Sequence, residues 1–229
     1  MASPSGTYNF FLSNASIVQQ AFARIQIRRA ALLAEHMQDA LNEFNLMLAS
    51  LSNLQPNLWS VELVSVPLIQ GQGVYSVDPS VVMILDAYIS YDNSTTSDRL
   101  IFPISRTEYA SYPNKTAEGP PTVFWFDRLV DPSITLWYVP DQTSTYTLNY
   151  YAVQQIQDAN LPNGEIPGVP YRWLDALVAD MAHRMSRIYK PELEDKRSAD
   201  AQKAFNIAST QDVENVDLVI APQMENYFR

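Results

Sequence analysis

The chain of 229 residues contains no cysteine. That excludes a disulfide framework, a thiolate metal site and a cysteine nucleophile. Charge is scarce at 17% of residues, where a typical globular chain carries about 25%. Basic residues are the scarcer sign, 15 against 25 acidic, for a net charge of −10. Binding to nucleic acid through phosphates needs clustered Lys and Arg, so the balance argues against it, and equally against attraction to an anionic membrane. No apolar run approaches the roughly 18 residues of a membrane-spanning helix. Met1 to Gly6 lacks a basic start and an apolar stretch, so no signal peptide is expected and cytosolic synthesis fits. Only two histidines occur, His36 and His183, and neither has H-E-x-x-H spacing. No G-x-S-x-G elbow, dinucleotide fingerprint or Walker A lysine is found. Gly71 and Gly73 are expected to serve a hairpin turn between Val66 and Val74.

What is present is apolar residue content of 47%, enough for a sizeable core. The spacing predicts helix over residues 14–53. Ile17, Ala21 and Ile25 form one stripe, and Ala30, Leu33, Met37, Leu41, Phe44, Leu48 and Leu51 form another. One unbroken helix would be unusually long, so either an exposed rod or a kink near Gln26 to Arg29 is expected. Leu174, Leu177, Met181, Met185 and Ile188 give a second helical stripe. Pro191 ends that helix and opens another, with Glu192, Glu194 and Asp195 in its first turn. Between these parts lie short runs rich in β-branched and aromatic residues: 59–66, 74–77, 81–91, 121–126, 134–139 and 146–153. No long helical period separates them, so they are read as antiparallel, with a helical turn over 105–112. This stretch, residues 57–158, holds four basic and eleven acidic residues.

The expected fold is therefore α+β: a helical bundle of N- and C-terminal helices with an inserted antiparallel β module. The parts are an extension at 1–13, a helical part at 14–56, the β module at 57–158, a second helical part at 159–210 packing on the first, and a tail at 211–229.

Candidate chemistry is thin. Acid pairs such as Asp127 with Asp131, or Glu165 in its loop, arise by chance in a chain this acidic, although a hydrolytic β module stays open as an alternative. Phe124, Trp125 and Phe126 are consecutive, and neighbours on a strand face opposite ways, so one set fills the core and the other is covered or exposed. Trp125 and Trp137 are candidates for stacking on sugars or bases. Basic residues cluster at Arg24, Arg28 and Arg29 and at Arg184, Arg187 and Lys190. Each cluster reads as a solvated helix face or as a set of partners for acids on a neighbouring chain.

One ordered series carries a resemblance. It runs through Ile104 to Pro113, with Arg106, Glu108, Tyr109 and Tyr112, then Lys115, Gly119-Pro120-Pro121, Phe124-Trp125-Phe126-Asp127-Arg128 and Leu136-Trp137-Tyr138-Val139-Pro140-Asp141. The flanks Asn42 to Leu51, Leu58-Trp59, Leu68 to Tyr75 and the Pro-rich loop into Tyr171 to Tyr189 agree. Over roughly residues 30–190 the chain resembles head-to-tail adaptor proteins of tailed bacteriophages, and in general plan the tail tubular proteins of short-tailed phages.

The resemblance implies a structural virion protein, without catalysis or cofactor, at the head–tail interface. It implies a twelve-fold ring below the portal that extends the DNA channel, passes DNA without specific binding and docks a downstream tail or nozzle protein or a tail fibre. In some members a C-terminal tail reaches into the portal. Here that piece is 211–229, with Met224, Tyr227, Phe228 and Arg229 as expected portal contacts and a frayed end as the plain alternative. Arg24, Arg28, Arg29, Arg184 and Arg187 are the expected ring-packing residues. The rival structural reading is the head-binding domain of a tail fibre or spike, which predicts a trimer.

Overall fold

The computed structural model describes residues 5–54, 58–91, 94–161, 164–210 and 212. The fold is α+β, with helices from both ends of the chain flanking a seven-stranded sheet.

The N-terminal helical part consists of α1 (Asn14–Arg24) and α2 (Ala34–Leu54). Ser13 caps α1, its Oγ accepting from Ser16 N at 3.2 Å. The break between the helices falls where a kink was expected, and its cause is local. Gln26 takes the left-handed conformation at φ 65°. Ile27 N then donates to Phe22 O at 3.0 Å and Gln26 N to Ala23 O at 3.1 Å. This pair of bonds is a Schellman motif, here built without glycine. The break uncouples the first part of the second stripe: Ala30 and Leu33 lie outside α2 and are exposed, and the buried face begins further on, at Ala40, Phe44, Met47, Leu48 and Leu51. The C-terminal part holds α4 (Leu174–Tyr189) and α5 (Glu194–Ser209), separated by a single helical turn at Pro191.

The strands are β1 (Val61–Pro67), β2 (Val74–Ser76), β3 (Val81–Tyr91), β4 (Ser94–Pro103), β5 (Val123–Asp127), β6 (Ser133–Trp137) and β7 (Tyr146–Gln154). Their order is β1-β7-β3-β4-β5-β6-β2. Two expectations need correction. The sheet is mixed, because β4 and β5 run parallel. A parallel pair needs a crossover of about a dozen residues or more. Residues 104–122 supply it, including the short helix α3 (Arg106–Ser111) capped by Ser105. Nor do Gly71 and Gly73 turn a hairpin: β1 and β2 pair with β7 and β6 at opposite edges of the sheet.

That last fact fixes the sheet's curvature. Six steps of about 4.8 Å make a flat seven-stranded sheet roughly 29 Å wide. The connection from Pro67 to Val74 spans at most about 25 Å. The sheet must roll to bring its edges together. The connection is stitched to the roll by Leu68 N to Tyr146 O at 2.9 Å and Gly71 N to Pro140 O at 3.0 Å.

Two cores result. The helical core joins Phe22, Phe44, Leu48, Trp173, Met181, Met185 and Ala208, drawn from all four longer helices and the turn before α4. The module core joins Ile89, Ile101, Phe124, Leu136, Leu148 and Tyr150 inside the roll. Polar side chains of α2 tie the module's exit to the helices. Asn45 Oδ1 accepts from Ala159 N at 2.7 Å, and Ser52 Oγ from Ile156 N at 3.2 Å. At the module's start, Trp59 packs on Trp173 with ring centroids 5.0 Å apart.

Candidate functional site

Among the described residues, no group of three or more His, Asp or Glu could hold a metal ion. Asp127 and Asp131 bracket the β5–β6 turn, whose Leu129 and Val130 project into solvent. Glu165 is exposed, and its backbone carbonyl accepts from Asn14 N at 2.8 Å.

The five arginines marked for ring packing fall into two groups. Three pair within the chain. Arg24 bonds Asp175 at 2.6 Å, joining α1 to α4. Arg184 reaches Glu43 at 3.4 Å, Asp180 at 3.1 Å and Ser50 at 3.1 Å, joining α4 to α2. Arg187 meets Glu194 at 3.2 Å. Arg28 and Arg29 stand exposed at the break between α1 and α2 and make no ion pair among the described residues. Met224, Tyr227, Phe228 and Arg229 lie outside the described residues.

The histidines serve packing. His36 Nδ1 accepts from Leu33 N at 2.9 Å, and its ring lies 4.8 Å from that of Tyr189 and 5.8 Å from that of Phe22. Tyr189 donates to Asp39 Oδ2 at 2.5 Å. Burial, then that carboxylate, push the Tyr189 hydroxyl up to about 12, because both disfavour the phenolate. His183 sits 3.7 Å from Asp180.

On the outer face of the module the aromatics form a continuous ladder. Phe124 points into the core, and Trp125 points outward to stack on Tyr109 at 5.7 Å. Trp137 stacks on Tyr112 at 4.4 Å and on Tyr138 at 3.9 Å, with ring planes within 28°. Two rings cannot share one face at such distances, so both faces of Trp137 are covered. Its Nε1 donates to Asn114 O at 2.9 Å. Lys115 lies 5.6 Å over the Tyr109 ring and donates to two carbonyls of the α3 end, Ala110 and Tyr112. The ladder thus pins α3 to the sheet, and Trp137 offers no stacking platform.

Two features went unread in the sequence. The first is an arm, residues 5–12, that leaves Tyr8, Phe10 and Phe11 exposed at 95, 70 and 51%. The second is a groove of about 370 Å³ between α2, α4 and α5, lined by Met47, Leu51, Trp173, Leu177, Ala201 and Phe205. Asp180, His183 and Arg184 stand on the same lining. The run Tyr8, Phe10, Phe11 was the available signal for the arm. The groove had none, because it joins residues from helices far apart in the chain.

The helical scaffold with its inserted β module thus exposes apolar surface on the arm and along the groove. Residues 13–221 match the SU10 adaptor protein family. The chain belongs to that family, and so is a phage structural adaptor and a virion component. The match extends the resemblance at both ends, into α1 and past α5, and leaves the arm outside. No curated protein matches the chain. Among the described residues no helix is long and apolar enough to cross a membrane.

Proposed function

We propose that this adaptor works as a ring subunit at the head–tail junction. It docks below the portal, closes a twelve-fold ring around the DNA channel and presents a platform to a downstream tail or nozzle protein or a tail fibre. The observation that carries this reading is the family match over residues 13–221. The net negative charge of the chain supports it, since a channel wall that must release DNA gains nothing from fixed cations. A closed ring needs two different, complementary side surfaces on each subunit. The low charge and the exposed aromatics suit such surfaces. In this reading residues 211–229 reach the portal through Met224, Tyr227, Phe228 and Arg229, the helical parts pack against one another in the ring, the acidic module faces outward or toward the tail, and the chain acts without catalysis or cofactor.

Mass photometry of the chain, alone and mixed with its portal ring, tests the reading. The expected result is a stoichiometric ring complex on mixing, or a ring formed by the chain alone. A trimer would turn the reading toward a fibre or spike domain. A monomer indifferent to the portal would overturn it.

A further inference from the structure

The arm and the groove are complementary and lie on opposite sides of the helical part. The arm, residues 5–12, carries no charged side chain. Among the described residues Tyr8 and Phe10 are left largely uncovered and Phe11 half so, whereas Leu12 at its root packs on the helical core. Each aromatic removes 150–250 Å² from water when buried, so leaving three bare is costly unless something covers them. The groove asks for such a guest. Its lining is mainly apolar, and its one guanidinium, Arg184, is already held by Glu43, Asp180 and Ser50, so no anionic ligand is called for. Its volume is in the range of sites that take small ligands, room for an aromatic side chain or two. Trp173, 1% exposed and part of the lining, keeps an indole Nε1 without an acceptor among the described residues. An extended arm brings one unpaired carbonyl per residue.

Helical spacing separates the two features. Trp173, Leu177, Asp180 and Arg184 mark the groove face of α4. Asp175, which holds Arg24 of α1, falls on the other side of the helix at about 3.6 residues per turn. Helix α1, and with it the root of the arm, therefore packs across α4 from the groove. To fill its own groove the arm would have to wrap around the helical part.

We propose that the arm of one subunit seats Phe10 and Phe11 in the α2–α4–α5 groove of the next copy. The inference rests on the ring reading and gives it a specific contact. A donor surface on one side and an acceptor on the other make a heterologous contact, the kind that propagates around a ring and closes it. The arm is then a strap between neighbours, and it lies outside the matched residues 13–221.

The absence of cysteine provides a clean test. Chains carrying only Phe10→Cys are mixed with chains carrying only Gln202→Cys, a groove-rim residue exposed in the subunit, and assembled into rings under mild oxidation. The expected result is a two-chain disulfide product between the two variants. Replacing Phe10 and Phe11 together by Ser, both exposed in the subunit, leaves the fold intact and weakens ring association at least about tenfold, as loss of an anchor residue does. Rings that form normally without those aromatics, and without the crosslink, overturn the strap and leave the ring reading standing. A Phe10→Cys/Gln202→Cys chain that closes on itself as a monomer overturns it in favour of a folded-back arm. Closure within a Val219→Cys/Gln202→Cys chain overturns it in favour of the chain's own C-terminal segment. If no ring forms with or without portal, the ring reading fails and the strap with it.

Discussion

The helical part and the β module handle charge in opposite ways. Residues 14–56 carry three basic and three acidic residues, and residues 159–210 carry seven of each, so the helical part is neutral. The module at 57–158 carries four against eleven, or −7. All the ion pairs among the described residues lie in the helical part and at Asp212 just beyond it. Helices are joined there by charge as well as by packing, whereas the module is held by its rolled sheet and leaves its carboxylates to solvent. The helical part pairs charges within the chain, and both parts leave large apolar side chains exposed, such as Leu54 and Ile207 in the one and Leu129 and Val130 in the other. The module makes no ion pair among the described residues, and its excess negative charge acts over a range set by salt, about 8 Å under physiological conditions.

The sharpest way to break this comparison is to remove a core side chain from each part. Phe44→Ala and Phe124→Ala both vacate fully buried sites and are expected to cost about 3–5 kcal/mol each. Hydrogen exchange followed separately in α4 and β7 reads the damage. Independent cores confine each loss to its own part, and equal loss in both parts would show that they unfold as one. A smaller effect separates two arginines of one helix. Arg184→Met, which removes a guanidinium shared by Glu43, Asp180 and Ser50, is expected to cost about 1–3 kcal/mol in denaturant unfolding. Arg187→Met, at a pair exposed on both sides, is expected to cost less than about 0.5 kcal/mol.

The gentlest probe is alkaline pH. The folded Tyr189 hydroxyl titrates near 12, above its ordinary value of 10.0. The stabilisation it reflects is complete below pH 10 and fades as pH rises toward 12. Burial also raises the hydroxyls of Tyr75 and Tyr150 in the module. Tyr189→Phe should therefore remove part of the alkaline loss from the helical part and leave that of the module unchanged. An unaltered pH profile in α4 would show that ionisation of Tyr189 does not drive the alkaline loss there.

The helical stripes were legible because burial on one face leaves a period of three and four, as in Leu177, Met181 and Met185. The break at Gln26 was legible only as a length that could not persist, since the residue that turns left-handed there is not glycine. Strand β4 was missed because it opens on Ser94-Thr95-Thr96-Ser97-Asp98 and buries only Ile101 among its three later apolar residues, leaving Leu100 and Phe102 exposed. A strand with one inward anchor has no alternation to read. With β4 went the parallel pair and the crossover, and so the roll. The arginines show a different limit. Clusters along the chain suggested a shared role, but partners such as Asp175 and Glu43 are set by tertiary packing and divide Arg24 and Arg184 from Arg28 and Arg29.

The strands that enter and leave the module, β1 and β7, lie side by side, with Val61 opposite Val153. This arrangement bears on how fast the chain folds. Helices α2 and α4 must find each other across more than a hundred intervening residues, and helical bundles fold quickly only when contacts are local in sequence. Zipping β1 to β7 shortens that path to the six residues between Leu54 and Val61 and the twenty between Val153 and Leu174, so the entropy of closing the long loop is met once, inside the sheet. The bundle is thus expected to fold at the tempo of a β protein, set by the closing of a ladder whose residues lie outside its own core.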